Sequence, residues 1–244
     1  MKKNLQDVLN SPGQRLAKIL HTLKTKIRVE KRDEVNQFKP FIKNGAVVFD
    51  IGAHFGQYAK AFALLNNKST TVYCFEPISY TRSILQSVLK SYKNTHIFSN
   101  GFADKPGKLE INIPVKKSGK IGPGLAHLGN ETKRDYVTEI VEIETIDNFV
   151  AKNNIKNIDF IKIDIEGAEL LVFKGAEKTL KKYKPTIICE VNHEHMARVN
   201  LKTDDLFRFL NKLGYESYLS ENLTLIKSNG YTKSADYLFL AIKK

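Results

Sequence analysis

The sequence predicts an α/β fold in which a mostly parallel sheet alternates with helices along one domain. Short apolar runs of strand length recur between segments whose apolar residues follow a helical spacing. The first such run, Val47–Ile51, passes through a glycine-containing turn into a helical pattern that begins near Gly56. The chain has 244 residues and is 42% hydrophobic, which is enough for one domain of this class and a short appendage.

The turn after this first strand has the spacing Asp50-x-Gly52-x-x-x-Gly56. It differs from the dinucleotide fingerprint Gly-x-Gly-x-x-Gly, because an acid replaces the first glycine and the last glycine comes one residue later. A carboxylate here repels a pyrophosphate but suits a ligand that carries an ammonium and a sulfonium group. S-adenosylmethionine (SAM) is such a ligand, and its own carboxylate can accept hydrogen bonds from the following helix N-terminus. The turn therefore predicts a SAM site.

The start of the chain and its two cysteines predict a cytoplasmic protein. Cys74 and Cys189 lie inside apolar, strand-like runs, so they are expected to be small buried hydrophobic residues rather than a disulfide or a metal knuckle. The first three residues are not followed by the apolar segment of a signal peptide. No run has the length that a membrane-spanning helix needs.

The net charge of +13 is the unusual bulk property of the chain. Such a charge favours nucleic acid, anionic lipid surfaces or phosphorylated substrates as partners. Lysine supplies most of it and is spread along the whole sequence, so an ordinary solvated surface is the competing interpretation.

Residues 1–38 are expected to form a basic helical extension of a domain that spans residues 39–244. The best-defined helix has Ser11 as its cap and Pro12 at its first position. Its apolar positions, at helical spacing, are Leu16, Ile19, Leu20, Leu23 and Ile27. Its polar face carries Arg15, Lys18, Lys24, Lys26 and Arg28. We expect these helices to pack against the domain or against a second copy in a homo-oligomer; contact with the inner membrane surface or with nucleic acid is the alternative.

The second and third predicted strands carry the next two candidate residues. The second strand, at residues 71–75, ends in Glu76, 20 residues after Gly56. A carboxylate there is placed to accept hydrogen bonds from both ribose hydroxyls, and it would clash with a 2′-phosphate. The third strand, near residues 95–99, leads to Asp104, which can accept a hydrogen bond from the adenine amino group. Asp104 also begins a turn-forming sequence, so a plain turn is the competing interpretation.

A long insert follows, and its two flanking segments predict a hairpin or an added sheet edge. Residues 108–114 and 137–143 both alternate apolar and polar residues. Between them, residues 116–134 are polar, rich in glycine and contain His127. A loop of this kind can cover a site, although a surface loop without a function fits the composition as well.

The fourth and fifth strands are expected to bring more carboxylates to the same edge of the sheet. A strand near residues 158–163 ends at Asp164, and Glu166 follows it on the loop before a helix. The fifth strand, at residues 185–191, contains Glu190 and is followed by Asn192. Ligands bind at the carboxyl ends of strands beside the topological switch point, so Asp164 and Asp50 should be neighbours there. A helix at residues 203–213 and an antiparallel pair of strands, near 215–219 and 236–242, complete the domain.

Four motifs together resemble the FkbM family of SAM-dependent methyltransferases over roughly residues 45–195. They are Asp50-x-Gly52-x-x-x-Gly56-x-Tyr58, Phe75-Glu76-Pro77, Ala103-Asp104-Lys105-x-Gly107 and Lys162-Ile163-Asp164-Ile165-Glu166-Gly167-Ala168-Glu169. The resemblance implies a Rossmann-like sheet of seven mostly parallel strands with an antiparallel last strand. It also implies methyl transfer from SAM, typically to a hydroxyl oxygen on a sugar or another secondary metabolite. The cofactor-binding residues implied on these motifs are Asp50, Gly52, Ala53, His54, Gly56, Tyr58, Glu76, Pro77, Ala103, Asp104 and Asp164. His54 departs from the pattern, in which asparagine is usual.

Methylation of a hydroxyl requires a base, and the sequence offers three candidates. They are His127 on the insert, Glu166 after the fourth strand and Glu190 at the end of the fifth. An alternative is an oxygen-rich Mg²⁺ site made by Asp164, Glu190 and Asn192, although Asp164 is expected to face SAM instead.

The acceptor is expected to be a small molecule or a glycan. Ribose 2′-O-methylation of RNA stays open because the charge favours it, as does a non-catalytic SAM-binding scaffold. A nicotinamide-dependent dehydrogenase is disfavoured by Asp50. The motifs that accompany methylation of base amines or of cytosine C5 are absent from the sequence.

Overall fold

A computed structural model describes residues 1–122, 135–222 and 224–242 of the chain. Its helices are α1 Leu5–Asn10, α2 Pro12–Ile27, α3 Arg32–Phe38, α4 Gln57–Leu64, α5 Ser79–Leu89, α6 Ile146–Lys152, α7 Glu169–Lys174, α8 Glu177–Tyr183, α9 His193–Arg198 and α10 Thr203–Lys212. Its strands are β1 Val47–Ile51, β2 Thr71–Phe75, β3 Thr95–Phe98, β4 Gly101–Phe102, β5 Gly107–Pro114, β6 Tyr136–Glu144, β7 Phe160–Ile163, β8 Thr186–Val191, β9 Tyr215–Glu221, β10 Thr224–Ser228 and β11 Ala235–Ala241. Short 3₁₀ turns occupy Lys39–Phe41 and Leu65–Lys68.

In the part of the chain that the structure describes, the main sheet has eight strands in the order β10-β9-β11-β8-β7-β1-β2-β3. The strands from β8 to β3 are parallel, and β11 lies antiparallel between β8 and β9. This confirms the predicted α/β class, the mostly parallel sheet and the antiparallel last strand. The predicted count of seven is one too low, because β10 pairs with β9 as an additional edge strand. Much of β10 is exposed, so its sequence lacks the apolar run that marks the buried strands.

The order of the strands reverses at β1, which places the switch point of the sheet there. β1 pairs with β2 on one side and with β7 on the other, and all but the first of its residues are buried. In the register with β7, Asp50 is opposite Lys162 and Ile51 is opposite Ile163. The loops that follow β1, β2 and β7 therefore meet at one edge, where open α/β sheets bind their ligands.

The predicted hairpin is confirmed, and it belongs to a separate small sheet. β5 and β6 pair antiparallel from Gly107 opposite Ile143 to Pro114 opposite Tyr136. The two-residue strand β4 adds to β6 as the third member. This sheet starts directly after β3, so its inner face reaches the ligand-binding edge of the main sheet.

The N-terminal helices pack into the same apolar core as the first half of the sheet. Val8, Val35 and Phe38 belong to the buried cluster that also contains Val48 and Phe62. The first residues of the chain also bond to β6, because the Tyr136 N–H donates to the Met1 carbonyl. The division at residue 38 stays a prediction, and the described contacts join its two sides.

Helix α2 has the predicted cap but presents the opposite face to the domain. Ser11 accepts a hydrogen bond from the Gln14 N–H at 3.3 Å, and Pro12 is the first helical residue. The buried residues of α2 are Gln14, Ala17 and Thr25. Its five apolar positions are exposed, so α2 packs against the domain, as expected, but through the face opposite to these positions. No helix within the described ranges has both the length and the apolar content to cross a bilayer.

Candidate active site

A cavity of about 370 Å³ opens at the carboxyl edge of β1, β2 and β7, within the volume range typical of small-molecule sites. It extends to the inner face of the small sheet, where Leu109 and Ile111 contribute apolar surface. The predicted site residues that line it are Gly52, Ala53, His54, Tyr58, Glu76, Pro77, Asp164 and Glu166. The structure thus brings most of the predicted cofactor residues together around one space.

The glycine turn is shaped by its contact with the end of β7. Gly52 has a φ of +75°, and a Cβ atom on it would lie 1.9 Å from the carbonyl oxygen of Asp164. Gly56 has a φ of +89°, and a Cβ there would lie 2.7 Å from the side chain of Leu85. Both glycines are required because a side chain would push the turn away from its neighbours. The two glycines thus let the turn pack closely against the end of β7 and against α5.

Glu76 is fixed at the end of β2 by two backbone donors. Its Oε2 accepts a hydrogen bond from the His54 N–H and its Oε1 accepts one from the Ile78 N–H, both at 2.9 Å. Burial raises the pKa of Glu76, and these N–H groups act in the opposite direction. Thr81 also hydrogen-bonds to this carboxyl group, and the remaining lone pair can accept a hydrogen bond from a ligand in the cavity.

His54 and Tyr58 line the cavity from the turn and from α4. The side chain of His54 lies against Phe55, with ring centroids 3.9 Å apart, and burial lowers its pKa to about 4. Its Nε2 is buried without a hydrogen-bond partner in the described structure. The Tyr58 hydroxyl donates to Glu34 in α3, and burial raises its pKa. Both rings are therefore neutral at physiological pH.

Lys162 is the functional residue that the sequence reasoning missed. Its Nζ lies 3.5 Å from Asp50 Oδ1 and 3.6 Å from Asp164 Oδ2, and it donates to the Gly52 carbonyl at 3.0 Å. Burial alone would lower the pKa of Lys162, but the charges of Asp50, Asp164 and Asp236 outweigh burial and raise it. The amine is therefore charged, and it ties β1, β7 and the glycine turn together. A lysine inside the apolar run of β7 was the available signal, because a buried charge needs partners.

Asp50 is fully buried beneath the turn and is absent from the cavity lining. Burial raises the pKa of its carboxyl, and the charge of Lys162 opposes that shift. The cation beside Asp50 in this structure is thus Lys162. Direct contact between Asp50 and the ammonium of a cofactor stays a prediction.

Asp164 and Glu190 form a pair of carboxyl groups at the ends of β7 and β8. Burial would raise the pKa of Asp164, but the charge of Lys162 and a hydrogen bond with Glu190 hold it below its usual range. Burial and the adjacent Asp164 raise the pKa of Glu190 to about 8. At neutral pH the pair therefore consists of an ionised Asp164 that faces the cavity and a protonated Glu190 behind it.

Glu166 lies on the loop after β7 and also lines the cavity. Burial, together with the charges of Asp164 and Glu169, raises its pKa to about 7. Its Oε2 lies 2.9 Å from the Nδ1 atom of His195 in α9. The loop is held in shape by Glu169, whose Oε1 accepts hydrogen bonds from the N–H groups of Ile165 and Gly167. Glu166 thus combines cavity access with a pKa suited to proton transfer.

The remaining predicted residues lie elsewhere. Ala103 bonds to the Glu144 carbonyl through its N–H, and Asp104 is exposed; neither lines the cavity, as the turn interpretation expects. Asn192 caps α9, because its Oδ1 accepts from the N–H groups of the next helical residues at 3.0 and 3.2 Å. The Oδ1 atom of Asn192 therefore accepts backbone hydrogen bonds in α9 and does not face a metal site. Across residues 1–122, 135–222 and 224–242, no three His, Cys, Asp or Glu side chains are grouped to hold a metal ion. His127 lies outside the described residues.

Comparison with known proteins decides the family. The model of the methyltransferase FkbM domain matches residues 50–217, which is more than two thirds of the chain. The chain belongs to the FkbM methyltransferase family. The match begins at Asp50 in the glycine turn and includes the described carboxylates of β2, β7 and β8, so the family assignment and the cavity coincide.

This FkbM-family chain is similar to a curated protein in sequence and to a solved structure in fold. The 2-O-methyltransferase NoeI of Sinorhizobium fredii (strain NBRC 101917 / NGR234) is 26% identical over 149 residues, or 57% of this chain. The aligned region is 61% of that relative, so the chain spans about three fifths of its length. The crystal structure of a methyltransferase FkbM from Methylobacillus flagellatus KT superposes with a TM-score of 0.53 at 17% identity, over 81% of this chain and 44% of that one. The second comparison supports the fold.

Proposed function

We propose that this FkbM-family protein transfers the methyl group of SAM to a hydroxyl oxygen of a sugar, a glycan or another small molecule. The observation that carries the proposal is the cavity with Glu76 fixed at the end of β2 and the Asp164–Glu190 pair at the ends of β7 and β8. The end of the cavity at Glu76 suits the hydroxyls of a ribose. The end at Asp164 offers an ionised carboxylate to the hydroxyl of an incoming acceptor. The name of the curated relative, a 2-O-methyltransferase, agrees with transfer to oxygen.

The residues present fit SAM as the cofactor. The glycine turn lines the cavity with Gly52, Ala53 and His54, and the buried Nε2 of His54 has no partner in the described structure. SAM, when bound, supplies a methyl group already activated on a cationic sulfur, so much of the catalysis can be positioning. Glu76 would hold the ribose hydroxyls. His54 stays neutral because of its low pKa, so it would add no positive charge beside the sulfonium.

Three carboxyl groups of the protein have different roles in the removal of the acceptor proton. Asp164 remains ionised beside Lys162, so it orients an acceptor hydroxyl by accepting its hydrogen bond. Glu166, with a pKa of about 7, takes up the proton at its carboxylate oxygen as the general base. Glu190 holds Asp164 in place through their shared hydrogen bond and is a positioning residue. A contribution of His127 as the base stays an untested prediction.

The test is methyl transfer from labelled SAM to a panel of mono- and oligosaccharides and to RNA, measured across pH. We expect label in alkali-stable ether linkages, and a rate that rises as the pH passes through about 7. Glu166→Gln should lower the rate by roughly 100-fold or more and remove the rising limb. Glu194→Gln, on the neighbouring helix α9, is the matched control and should leave both unchanged. Label recovered in RNA instead would favour the ribose alternative, and an unchanged profile in Glu166→Gln would exclude Glu166 as the base.

A further inference from the structure

Helix α2 exposes the face that a packed amphipathic helix normally buries. The exposed fractions are 54% for Leu16, 56% for Ile19, 54% for Leu20, 49% for Leu23 and 79% for Ile27. The five side chains recur at helical spacing and so form one continuous stripe along the helix. A stripe of this kind on the surface marks a site of interaction. The partner of this stripe must therefore offer an apolar surface to a row of branched aliphatic side chains.

The borders of this stripe are basic, and α2 contains no acidic residue. Arg15 and Lys26 lie along one side of the stripe on the helical wheel, and Lys24 lies along the other. All three are exposed, and Lys24 pairs with Glu30, just beyond the helix, at 3.0 Å. Arg28 directly follows the helix and is exposed as well. The partner that complements this surface is apolar at its centre and negatively charged where it meets the flanks.

We propose that α2 docks on an anionic membrane surface. A helix with an aliphatic face between basic flanks lies in the plane of the interface, with that face among the upper acyl chains and its cations at the lipid headgroups. At 16 residues, α2 extends for roughly 24 Å, which suits this orientation in the interface. The net charge of +13 adds a favourable long-range attraction to the same surface.

A second copy of the chain is a poorer occupant of the stripe. Pairing two α2 helices would bring their basic flanks together without an acidic side chain on either helix to neutralise them. The stripe on one 16-residue helix is also a small surface for a stable specific interface, which buries at least roughly 1,200 Å² in total. An anionic bilayer meets both conditions, because its headgroups neutralise the cations and its acyl region covers the whole stripe.

The opposite face of α2 is tied to the cofactor site. The ring of His21 lies 4.8 Å from that of Phe55, the residue after His54 in the glycine turn. Gln14 accepts a hydrogen bond at 2.9 Å from the N–H of Ile121, a residue of the insert. Lys60 of α4 donates to the backbone carbonyls at the end of α2. Binding through the stripe would therefore hold the protein by an element that is rigidly connected to the turn, whatever the acceptor of the methyl group is.

The test is flotation of the full chain with phosphatidylcholine vesicles that either contain or lack phosphatidylglycerol. We expect binding to the anionic vesicles alone, weakened by salt. Leu20→Ser with Leu23→Ser should reduce the bound fraction by about tenfold or more. Ile226→Ser, at an exposed isoleucine of β10, is the matched control and should bind as the wild type does. Arg15→Glu with Lys26→Glu should also abolish binding, whereas the same charge change at Lys90 and Lys93 should weaken it only slightly.

The chain contains no tryptophan, so Leu23→Trp supplies a single fluorescent reporter on the stripe. Its emission should shift to the blue on anionic vesicles and be quenched by brominated acyl chains. Absence of binding by the wild type, or binding that the serine variant retains, would overturn the proposal. A dimer in light scattering that Leu20→Ser with Leu23→Ser dissociates, without vesicle binding, would assign the stripe to a second copy. Unfolding curves of each variant check that the fold is retained.

Discussion

Replacement of Lys162 with methionine tests the electrostatic centre of the site. Methionine keeps much of the volume but removes the cation that lies 3.5 Å from Asp50 Oδ1 and 3.6 Å from Asp164 Oδ2. At an effective dielectric constant of ~20, two unit charges at such distances attract by ~5 kcal/mol. Part of this loss is recovered because the lysine is no longer desolvated and the carboxyls can take up protons. We therefore expect the free energy of unfolding to fall by ~3–5 kcal/mol near neutral pH.

The loss of unfolding free energy in Lys162→Met should also depend on pH, in a direction that the two carboxyls determine. In Lys162→Met the two carboxyls have no cation beside them, so their pKa values lie above those in the unfolded chain. The folded variant then binds more protons than the unfolded chain, and its deficit relative to the wild type shrinks as the pH falls from about 7.5 to about 5. Urea unfolding followed by circular dichroism measures the deficit at both pH values. The same variant should also lose SAM affinity, since the Gly52 carbonyl loses its donor.

Lys60→Met is the matched control, because Lys60 is also a buried lysine but donates only to backbone carbonyls, including that of Thr25. Its replacement should cost ~1–3 kcal/mol, with little change between the two pH values. The reasoning is refuted if Lys162→Met costs less than about 1 kcal/mol or if its deficit does not depend on pH.

Three further predictions address the turn and the carboxylates. Glu76→Gln should weaken SAM binding by about tenfold or more in calorimetry, because an amide has one acceptor oxygen where two backbone N–H groups and a ligand need two. Gly52→Ala should lower the melting temperature far more than Gly45→Ala, since both have φ near +75° but only Gly52 lacks space for a Cβ atom; the left-handed backbone alone costs about 1–2 kcal/mol. Glu190 has a pKa raised from 4.5 to about 8, so wild-type stability should decline as the pH rises between these two values and level off above 8; Glu190→Gln, which still donates to Asp164, should abolish that decline.

Each of these three has an outcome that contradicts it. Unchanged affinity in Glu76→Gln would remove that carboxylate from the cofactor site. Equal melting temperatures for the two alanine variants would mean that the contact between the turn and β7 is not tight. A stability decline between pH 4.5 and 8 that is as steep in Glu190→Gln as in the wild type would assign the titration to another group.

The strands and the cavity residues were predictable because parallel strands leave strong local signals. Val47–Ile51 and residues 158–163 are apolar runs that end at carboxylates, and the switch point brings their ends together. The ligand-binding edge then follows from topology. In contrast, β10 is an exposed edge strand whose alternation is too weak to distinguish it from a loop.

The orientation of α2 was not predictable from its periodicity. A helical pattern shows that one face is apolar, but it does not show whether that face is turned to the core. In this chain Gln14 bonds to the backbone at Ile121 and Lys60 bonds to the last carbonyls of α2, so polar contacts of high sequence separation fix the opposite face inward. Such contacts leave no local mark on the sequence.

The sequence correctly indicated a cation beside Asp50 but did not identify the residue that supplies it. The acid at Asp50 indicated a nearby cation, and the structure places Lys162 there instead of leaving the position open to a ligand. The lysine stands one residue before Ile163 in a buried strand, a position where it needs compensation. Pairing the buried acid with the buried lysine would have been possible from the register of neighbouring strands, but the register itself is a tertiary property.

The most direct test of the account is titration calorimetry of the full chain with SAM and, separately, with NAD. The account predicts saturable binding of SAM at one site per chain, weakened by Glu76→Gln, and no binding of NAD. Binding of NAD without binding of SAM would contradict the assignment of the cavity and the methyl transfer proposed from it.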